Sequence, residues 1–117
     1  MTDNIYWTIN ASVKEGHLEG LKEHIVKMVE MTKTEEGALN YEFWLNDDNS
    51  RIFIHERYAN SEAAIAHLQN VGPHLGPFLD AVEMEPIVIC GDLSDEGKEA
   101  FAPFGASYTQ HLNGFVN

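Results

Sequence analysis

The histidine at position 67 is the side chain in this sequence with the clearest means of moving a proton. It belongs to the segment ERYANSEAAIAH, residues 56–67, in which a strand ends, the chain turns at Asn60 and a helix begins. His67 follows that turn by roughly two helical turns, so we expect its ring to face back over the sheet. An imidazole changes its protonation state near neutral pH, which makes His67 a candidate general base or acid. The alternative is a structural histidine, bonded to a backbone carbonyl or half exposed.

A second set of residues could bind or orient a substrate beside that histidine. It comprises a polar residue of the first strand, aromatic residues of the next two strands and a histidine beyond the helix: Asn10, Tyr41, Trp44, Tyr58 and His74. Aromatic strand residues most often belong to a core or an interface, and Asn10 has the alternative of an ordinary polar strand position. Gly72-Pro73 breaks the helix before His74, so that side chain can line the same pocket or lie in the turn.

A carboxylate stands within an apolar strand. Glu56 lies in the run Ile52–Tyr58, and a buried carboxylate needs a hydrogen-bonding partner. Arg57 points to the opposite face because successive side chains of a strand alternate. We therefore expect a histidine or a tyrosine hydroxyl to contact Glu56, either as a structural hydrogen bond or to tune the pKa of a catalytic histidine.

The histidines and the cysteine are not spaced as metal ligands. His17 and His24 are seven residues apart on one predicted helix, whereas zinc-binding helices place their ligands at i and i+4. The other histidines show no ligand-like spacing, and Cys90 is the single cysteine. Glycine-rich phosphate loops and a GxSxG nucleophile motif are absent from the sequence. The sequence therefore predicts neither a metal nor another cofactor.

Hydrophobic periodicity divides the chain into elements in the order β-α-β-β-α-β. Alternation with period two predicts strands, and spacings of three and four predict helices, over residues 5–13, 17–33, 39–45, 52–58, 60–71 and 84–90, with a short helical piece at 74–82. This order indicates an α+β, ferredoxin-like fold with a four-stranded antiparallel sheet and helices on one face. We assign it to residues 1–91. Residues 92–117 are predicted to form a C-terminal extension, beginning with a helix capped by Ser94, that packs over the pocket or onto a partner subunit.

Aromatic side chains are predicted on both faces of the sheet. Tyr6, Trp44 and Phe53 are out of phase with the main apolar set of their strands, so they emerge on the face without helices. Two such faces packed across a two-fold axis would remove this surface from water. We therefore predict a homodimer, a dimeric α+β barrel.

Composition limits the partners and the location of the protein. The 117 residues are enough for a single core, and 7 basic against 19 acidic side chains give a formal charge of −12. Such a charge repels phosphate backbones and anionic lipid surfaces, so we expect neither nucleic acid nor a membrane as partner. The single cysteine permits no intrachain disulfide, and neither a membrane-spanning apolar run nor a signal peptide is apparent. We expect a cytoplasmic protein.

The two segments EEGALNY, residues 35–41, and ERYANSEAAIAH, residues 56–67, resemble the antibiotic biosynthesis monooxygenase family. The resemblance extends from about Ile5 to Cys90. It implies a small dimeric ferredoxin-like protein that oxidises a hydroxylated aromatic or quinol with dioxygen, without metal or flavin, and it implies His67 as the base. The haem-degrading branch of this superfamily has tryptophan at the position of His67, so the resemblance does not imply haem breakdown.

Two alternatives to an oxygenase remain open at the level of the sequence. The hairpin residues 49–56 also resemble the isomerase that processes phosphorylated autoinducer-2, a reaction that needs a cation, such as Arg51, Arg57 or Lys98, in the cavity. A third hypothesis is a non-catalytic dimer that binds an aromatic ligand or none. An interior around His67 that is too full for a ring would favour this last hypothesis.

Overall fold

The computed structural model describes residues 2–117 and follows the predicted order of elements up to the second helix. The strands and helices are β1 Ile5–Val13, α1 Leu18–Thr32, β2 Ala38–Leu45, β3 Arg51–Tyr58, α2 Ser61–Val71, α3 Leu75–Ala81, β4 Val82–Met84, β5 Val88–Cys90, α4 Asp95–Phe101 and β6 Ser107–Tyr108. Single 3₁₀ turns, Gly72–His74 and Ala102–Phe104, follow α2 and α4. None of the helices within residues 2–117 is long and apolar enough to cross a membrane.

The strands form one sheet in the order β2-β3-β1-β5-β6, and β4 also pairs with β1. All pairs are antiparallel except β5 with β6, which is parallel. The α+β ferredoxin-like fold is thus confirmed, although the sheet has more than the four strands expected. The predicted last strand at 84–90 is in fact two short strands on either side of Pro86, whose nitrogen cannot donate to a ladder.

Helices cover one face of the sheet, and the core lies between them and the strands. Alternate residues of β1 and β3 point into this core: Ile5, Trp7, Ile9, Ala11, Ile52, Ile54, Glu56 and Tyr58. Their helical partners include Leu21, Met28, Ala64 and Phe78. Glu56 is therefore buried by the same alternation that buries its apolar neighbours.

A bulge shifts the register at the start of β2. The pairing with β3 is irregular between Ala38 and Asn40, and Leu39 is 53% exposed. Period-two alternation over residues 39–45 would place Leu39 on the same face as Tyr41 and Phe43, but it does not lie there, because the extra residue of a bulge resets the alternation. Beyond the bulge, Tyr41 and Phe43 face the core, and Trp44 faces outward, as its phase in the strand predicted.

The loop between α1 and β2 packs closely against the start of α2. The Asn60 side chain caps α2 by accepting a hydrogen bond of 2.9 Å from the Ala63 backbone N–H. A methyl group at Gly37 would lie 2.4 Å from the Ala63 Cβ, so only glycine permits this approach. This contact places the loop, which includes Glu35, beside the helix that carries His67.

The first residues after β5 still pack into the core, whereas the last residues of the chain are exposed. Ser94 caps α4 as expected, its hydroxyl accepting a hydrogen bond of 3.0 Å from the Gly97 backbone N–H. Leu93 and Phe101 are buried, and the Phe101 ring lies edge-on to the Trp7 ring with centroids 5.0 Å apart. Residues 110–117 are exposed along their whole length.

Candidate active site

A buried imidazole lies between two carboxylates. The side chain of His67 on α2 is 4% exposed, and its Nδ1 is 3.1 Å from both carboxylate oxygens of Glu35. Its Nε2 is 3.3 Å from Oε1 of Glu56 on β3. Three separate parts of the chain, a loop, a strand and a helix, therefore converge on one ring.

Two further donors hold the Glu56 carboxylate. The Trp7 indole N–H donates to Oε2 at 2.9 Å, and the Tyr58 hydroxyl donates to Oε1 at 2.7 Å. The sequence predicted a histidine or a tyrosine hydroxyl as the partner of Glu56, and the structure contains both. Trp7 was missed as a donor. Alternation along β1 predicts that Trp7 points inward, but its position opposite Glu56 depends on the β1–β3 register.

The opposite carboxylate is held by an amide. Asn70 donates a hydrogen bond of 2.9 Å to Oε2 of Glu35 and one of 3.2 Å to the Met31 backbone carbonyl. The sequence reasoning assigned no role to Glu35 or Asn70 in the site. Asn70 could have been found, because it follows His67 by three residues and so shares its face of the helix.

These carboxylates set the protonation of the site. Burial by itself would lower the pKa of His67, but its hydrogen bond and charge interaction with Glu56, together with those of Glu35, outweigh burial and raise the pKa. Burial and the charge of Glu56 raise the pKa of Tyr41 and of Tyr58 far above their usual value. The imidazolium therefore persists to higher pH than in solution, while both phenols stay neutral hydrogen-bond donors.

An apolar cavity of about 50 Å³ adjoins this cluster. Glu56, His67 and Tyr41 contribute its polar wall, and most of the remaining wall is aliphatic or aromatic, with Met28, Ile54 and Phe78 among its residues. The Tyr41 ring lies edge-on to the imidazole, with centroids 5.1 Å apart. The ring of His67 is thus turned into the molecule and borders a space that is not filled by neighbouring side chains.

The candidate residues from the sequence fall into two groups. His67 and Tyr41 line the cavity, and Tyr58 lies behind the imidazole, with ring centroids 4.8 Å apart. The other three, Asn10, Trp44 and His74, are not brought to this cavity.

Strand alternation and the end of α2 explain why these three residues lie away from the cavity. Asn10 and Trp44 point to the face of the sheet without helices because of strand alternation, and the Asn10 side-chain oxygen there accepts a hydrogen bond of 3.1 Å from Nε of Arg51. His74 lies exposed in the 3₁₀ turn that follows α2. Its ring is separated from that of His67 by the helix break at Gly72-Pro73, as one of the two interpretations of the sequence predicted.

The cations considered for phosphate binding also lie elsewhere. Arg57 stacks on the Tyr6 ring at 4.1 Å, Arg51 pairs with Glu85 at 3.3 Å, and the Lys98 nitrogen is 5.2 Å from the Tyr108 ring centroid. Among the described residues, His67 is the one cavity-lining side chain that can carry a positive charge. Within residues 2–117, no three His, Cys, Asp or Glu side chains are arranged to hold a metal ion.

Solved structures with the same fold come from several bacteria and an archaeon. MupZ from Pseudomonas fluorescens superposes with a TM-score of 0.88 at 19% identity, over 100% of this chain and 91% of its own. A conserved protein from Methanosarcina mazei gives a TM-score of 0.65 at 19% identity, covering 74% of this chain and 89% of its own. SnoaB, a cofactor-independent oxygenase from Streptomyces nogalater, gives 0.65 at 12% identity, covering 75% of this chain and 91% of its own. At these identities the similarity shows the fold alone.

Comparison of the sequence itself gives the family. No curated protein matches the chain significantly. The model of the family described as antibiotic biosynthesis monooxygenase matches residues 5–82, which contain β1 to α3 and every residue of the His67 cluster. The chain therefore belongs to the antibiotic biosynthesis monooxygenase family.

Proposed function

We propose that this protein is a cofactor-independent monooxygenase that oxidises a small hydroxylated aromatic molecule with dioxygen. The observation that carries the proposal is the His67–Glu56 pair at the polar end of an otherwise apolar cavity. Such a site can take a proton from a phenol while keeping bulk water away from the resulting anion. The cofactor-independent oxygenase SnoaB, which shares the fold, is consistent with this chemistry.

The proposed reaction converts a phenol and dioxygen into a quinone and water. Loss of the O–H proton to the protein gives a phenolate, whose ring is electron-rich enough to pass electrons to dioxygen. A new C–O bond forms at a ring carbon ortho or para to the hydroxyl that carries a hydrogen, giving a hydroperoxide. That carbon loses its hydrogen as a proton and the O–O bond breaks, so that one oxygen atom becomes the second carbonyl and the other leaves as water. The substrate supplies all the electrons, and the protein supplies a base, orientation and a dry cavity.

The protein residues divide the work of proton transfer and positioning. Once the imidazolium has released its proton, Nδ1–H donates to Glu35, and the Nε2 lone pair next to Glu56 is available as the base. Tyr41, a neutral donor at the cavity wall, orients the substrate oxygen. Tyr58 and Trp7 keep the Glu56 carboxylate in place. The rate of oxidation should therefore rise with pH through the raised pKa of His67.

Oxygen consumption by the metal-free protein tests this proposal. We expect uptake with hydroquinones and phenols, one quinone per dioxygen consumed, and a loss of at least about 100-fold in kcat for Glu56→Gln and His67→Gln. The control is His17→Asn, an exposed histidine at the start of α1. Circular dichroism must show that each variant is folded. Uptake that is unchanged in both site variants would remove the assigned base, and binding without any uptake would favour the non-catalytic alternative.

The position of the cations disfavours the isomerase alternative. A phosphorylated substrate needs a cationic anchor, and Arg51, Arg57 and Lys98 all lie outside the cavity, on other partners. The two carboxylates beside His67 would moreover repel a phosphate.

We also propose that the protein is a homodimer through the face of the sheet without helices. Tyr6 is 39%, Val88 47% and Trp44 55% exposed on this face, and large apolar side chains grouped on one face are typical of a protein–protein interface. Light scattering after size exclusion should give a mass near twice that of the chain, and Trp44→Glu should shift it toward the monomer. A monomeric mass for the unmodified protein at micromolar concentration would contradict the proposal.

A further inference from the structure

The cavity beside His67 adjoins a wider groove at the surface. This groove has a volume of about 730 Å³ and runs between α2, α3 and the segment after α4. Part of its wall is also the wall of the inner cavity, namely Leu68, Leu75, Leu79, Met84 and Phe104. The two spaces therefore adjoin each other, and together they extend from the surface to the imidazole.

Polar groups are concentrated in the inner of these two spaces. Glu56, His67 and Tyr41 all border the inner cavity, whereas Glu85 is the one charged residue among the described residues that line the groove. Glu85 has its own partner, since its Oε1 lies 3.3 Å from Nη2 of Arg51. A ligand that fits both ends must therefore be polar at one end and apolar along the rest.

The inner cavity and the groove differ in how much of such a ligand they can hold. A water position takes roughly 10–15 Å³ of cavity volume measured in this way, so the inner cavity holds no more than the hydroxylated edge of one ring. The groove, by contrast, has the size of sites that bury a drug-sized molecule, about 300–1,000 Å³. Most of the contact area of the ligand must come from the groove.

We propose that the substrate is a hydroxylated aromatic with an unbranched apolar chain, whose hydroxyl end enters the inner cavity and whose chain lies in the groove. The hydroxylated ring of this substrate rests on the proposed function, whereas its apolar chain is inferred separately from the shape and polarity of the groove. Burial of the chain supplies binding energy away from the reacting atoms, which the enzyme can use to hold the ring against His67.

Glycines keep one side of the groove clear. Gly72 and Gly76 both line it, and a Cβ built on either meets no atom within 4 Å. Neither residue has a positive φ, and a Cβ at either would project into open space. Each precedes a proline, which disfavours the helical backbone of a residue that has a Cβ, so circular dichroism must show that a variant at this position is folded. Gly76→Leu therefore narrows the groove without disturbing the core. Gly20 on α1 is a matched control, because it is exposed, equally uncrowded and outside the groove.

Calorimetric titration with 4-alkylphenols, from methyl to pentyl, tests the inference by binding alone. We expect the dissociation constant to fall about fourfold per added methylene, equivalent to about 0.8 kcal/mol, and so about 250-fold across the series. In Gly76→Leu this dependence should disappear while 4-methylphenol binds as before. Gly20→Leu should keep the full dependence.

Each result supports or contradicts the inference separately from the proposed function. Binding that depends on chain length and on Gly76 but gives no oxygen uptake supports the groove and contradicts the oxygenase. Oxygen uptake with short phenols and no dependence on chain length contradicts the groove and supports the oxygenase. Equal effects of Gly76→Leu and Gly20→Leu, or no binding of any member of the series, would also overturn the inference.

Discussion

Replacing His67 by leucine removes the cation between two buried carboxylates. The side chains of Glu35 and Glu56 are only 11% and 6% exposed, so little water can screen the charges that the substitution leaves unpaired. Breaking a buried ion pair by removing one partner typically costs about 3–5 kcal/mol. We expect His67→Leu to lower the free energy of unfolding by this amount at pH 6.5. With a shift of roughly 4 °C per kcal/mol for a domain of this size, the melting temperature should fall by about 12–20 °C.

The pH dependence of the stability lost in His67→Leu distinguishes an electrostatic cause from a loss of packing. In the unmodified protein the folded-state pKa of His67 is raised, so its stabilisation is fully present below the ordinary value of 6.5 and is lost as pH rises through the folded-state value. In His67→Leu the two carboxylates are left without a cation and repel each other, and protonation of either one relieves this repulsion. That variant should therefore regain stability as the pH falls from 6.5 to 5, while the His67 contribution in the unmodified protein changes by less than about 0.5 kcal/mol.

Urea unfolding at pH 6.5 and pH 5, followed by circular dichroism, measures both quantities. His74→Leu is the control, because His74 is exposed and should change the free energy of unfolding by less than about 0.5 kcal/mol. The double variant His67→Leu with Glu56→Gln should recover part of the loss, since it removes one of the unpaired charges. A deficit below about 1 kcal/mol, or one that stays the same at both pH values, would refute the view that the two carboxylates are held together by a charged imidazole.

Two more substitutions test how the site is supported. Tyr58→Phe removes the donor that lies 2.7 Å from the Glu56 carboxylate, and we expect a loss of about 1.5–3 kcal/mol in urea unfolding; a change below half of that would mean that water replaces the hydroxyl. Gly37→Ala brings a Cβ to 2.4 Å from that of Ala63 and should cost about 1–3 kcal/mol in thermal unfolding. Gly20→Ala, in the open on α1, should instead stabilise by about 0.5–1 kcal/mol; the same sign for both glycines would contradict the crowding argument.

Much of the architecture could be predicted from local patterns. Alternation along β1 and β3 identified the inward residues, and the Asn60 turn identified the start of the helix that carries His67. Local patterns failed at Leu39, where a bulge resets the alternation, and at residues 84–90, where Pro86 divides one apolar run into two strands. Both failures come from backbone irregularities that hydrophobic periodicity does not encode.

The position of a residue in the alternation of its strand indicates whether it reaches the site, whereas its residue type does not. Tyr41 was selected as an aromatic strand residue and lines the cavity, but Trp44, selected on the same ground, lies on the opposite face. The two differ by three positions, so strand alternation alone places them on opposite faces. Residue type describes what a side chain can do, and alternation decides whether it can reach the site.

By itself, the sequence determined the order of the elements up to the second helix, the inward direction of His67 and the need of Glu56 for a partner, because these depend on residues close together in the chain. Only the tertiary structure decided which groups meet them. Trp7 reaches Glu56 across 49 residues through the β1–β3 register, and Glu35 reaches His67 across 32 residues through a loop packed on Ala63. Periodicity fixes the face on which a side chain lies, whereas register and loop packing depend on distant parts of the chain and fix what it touches there.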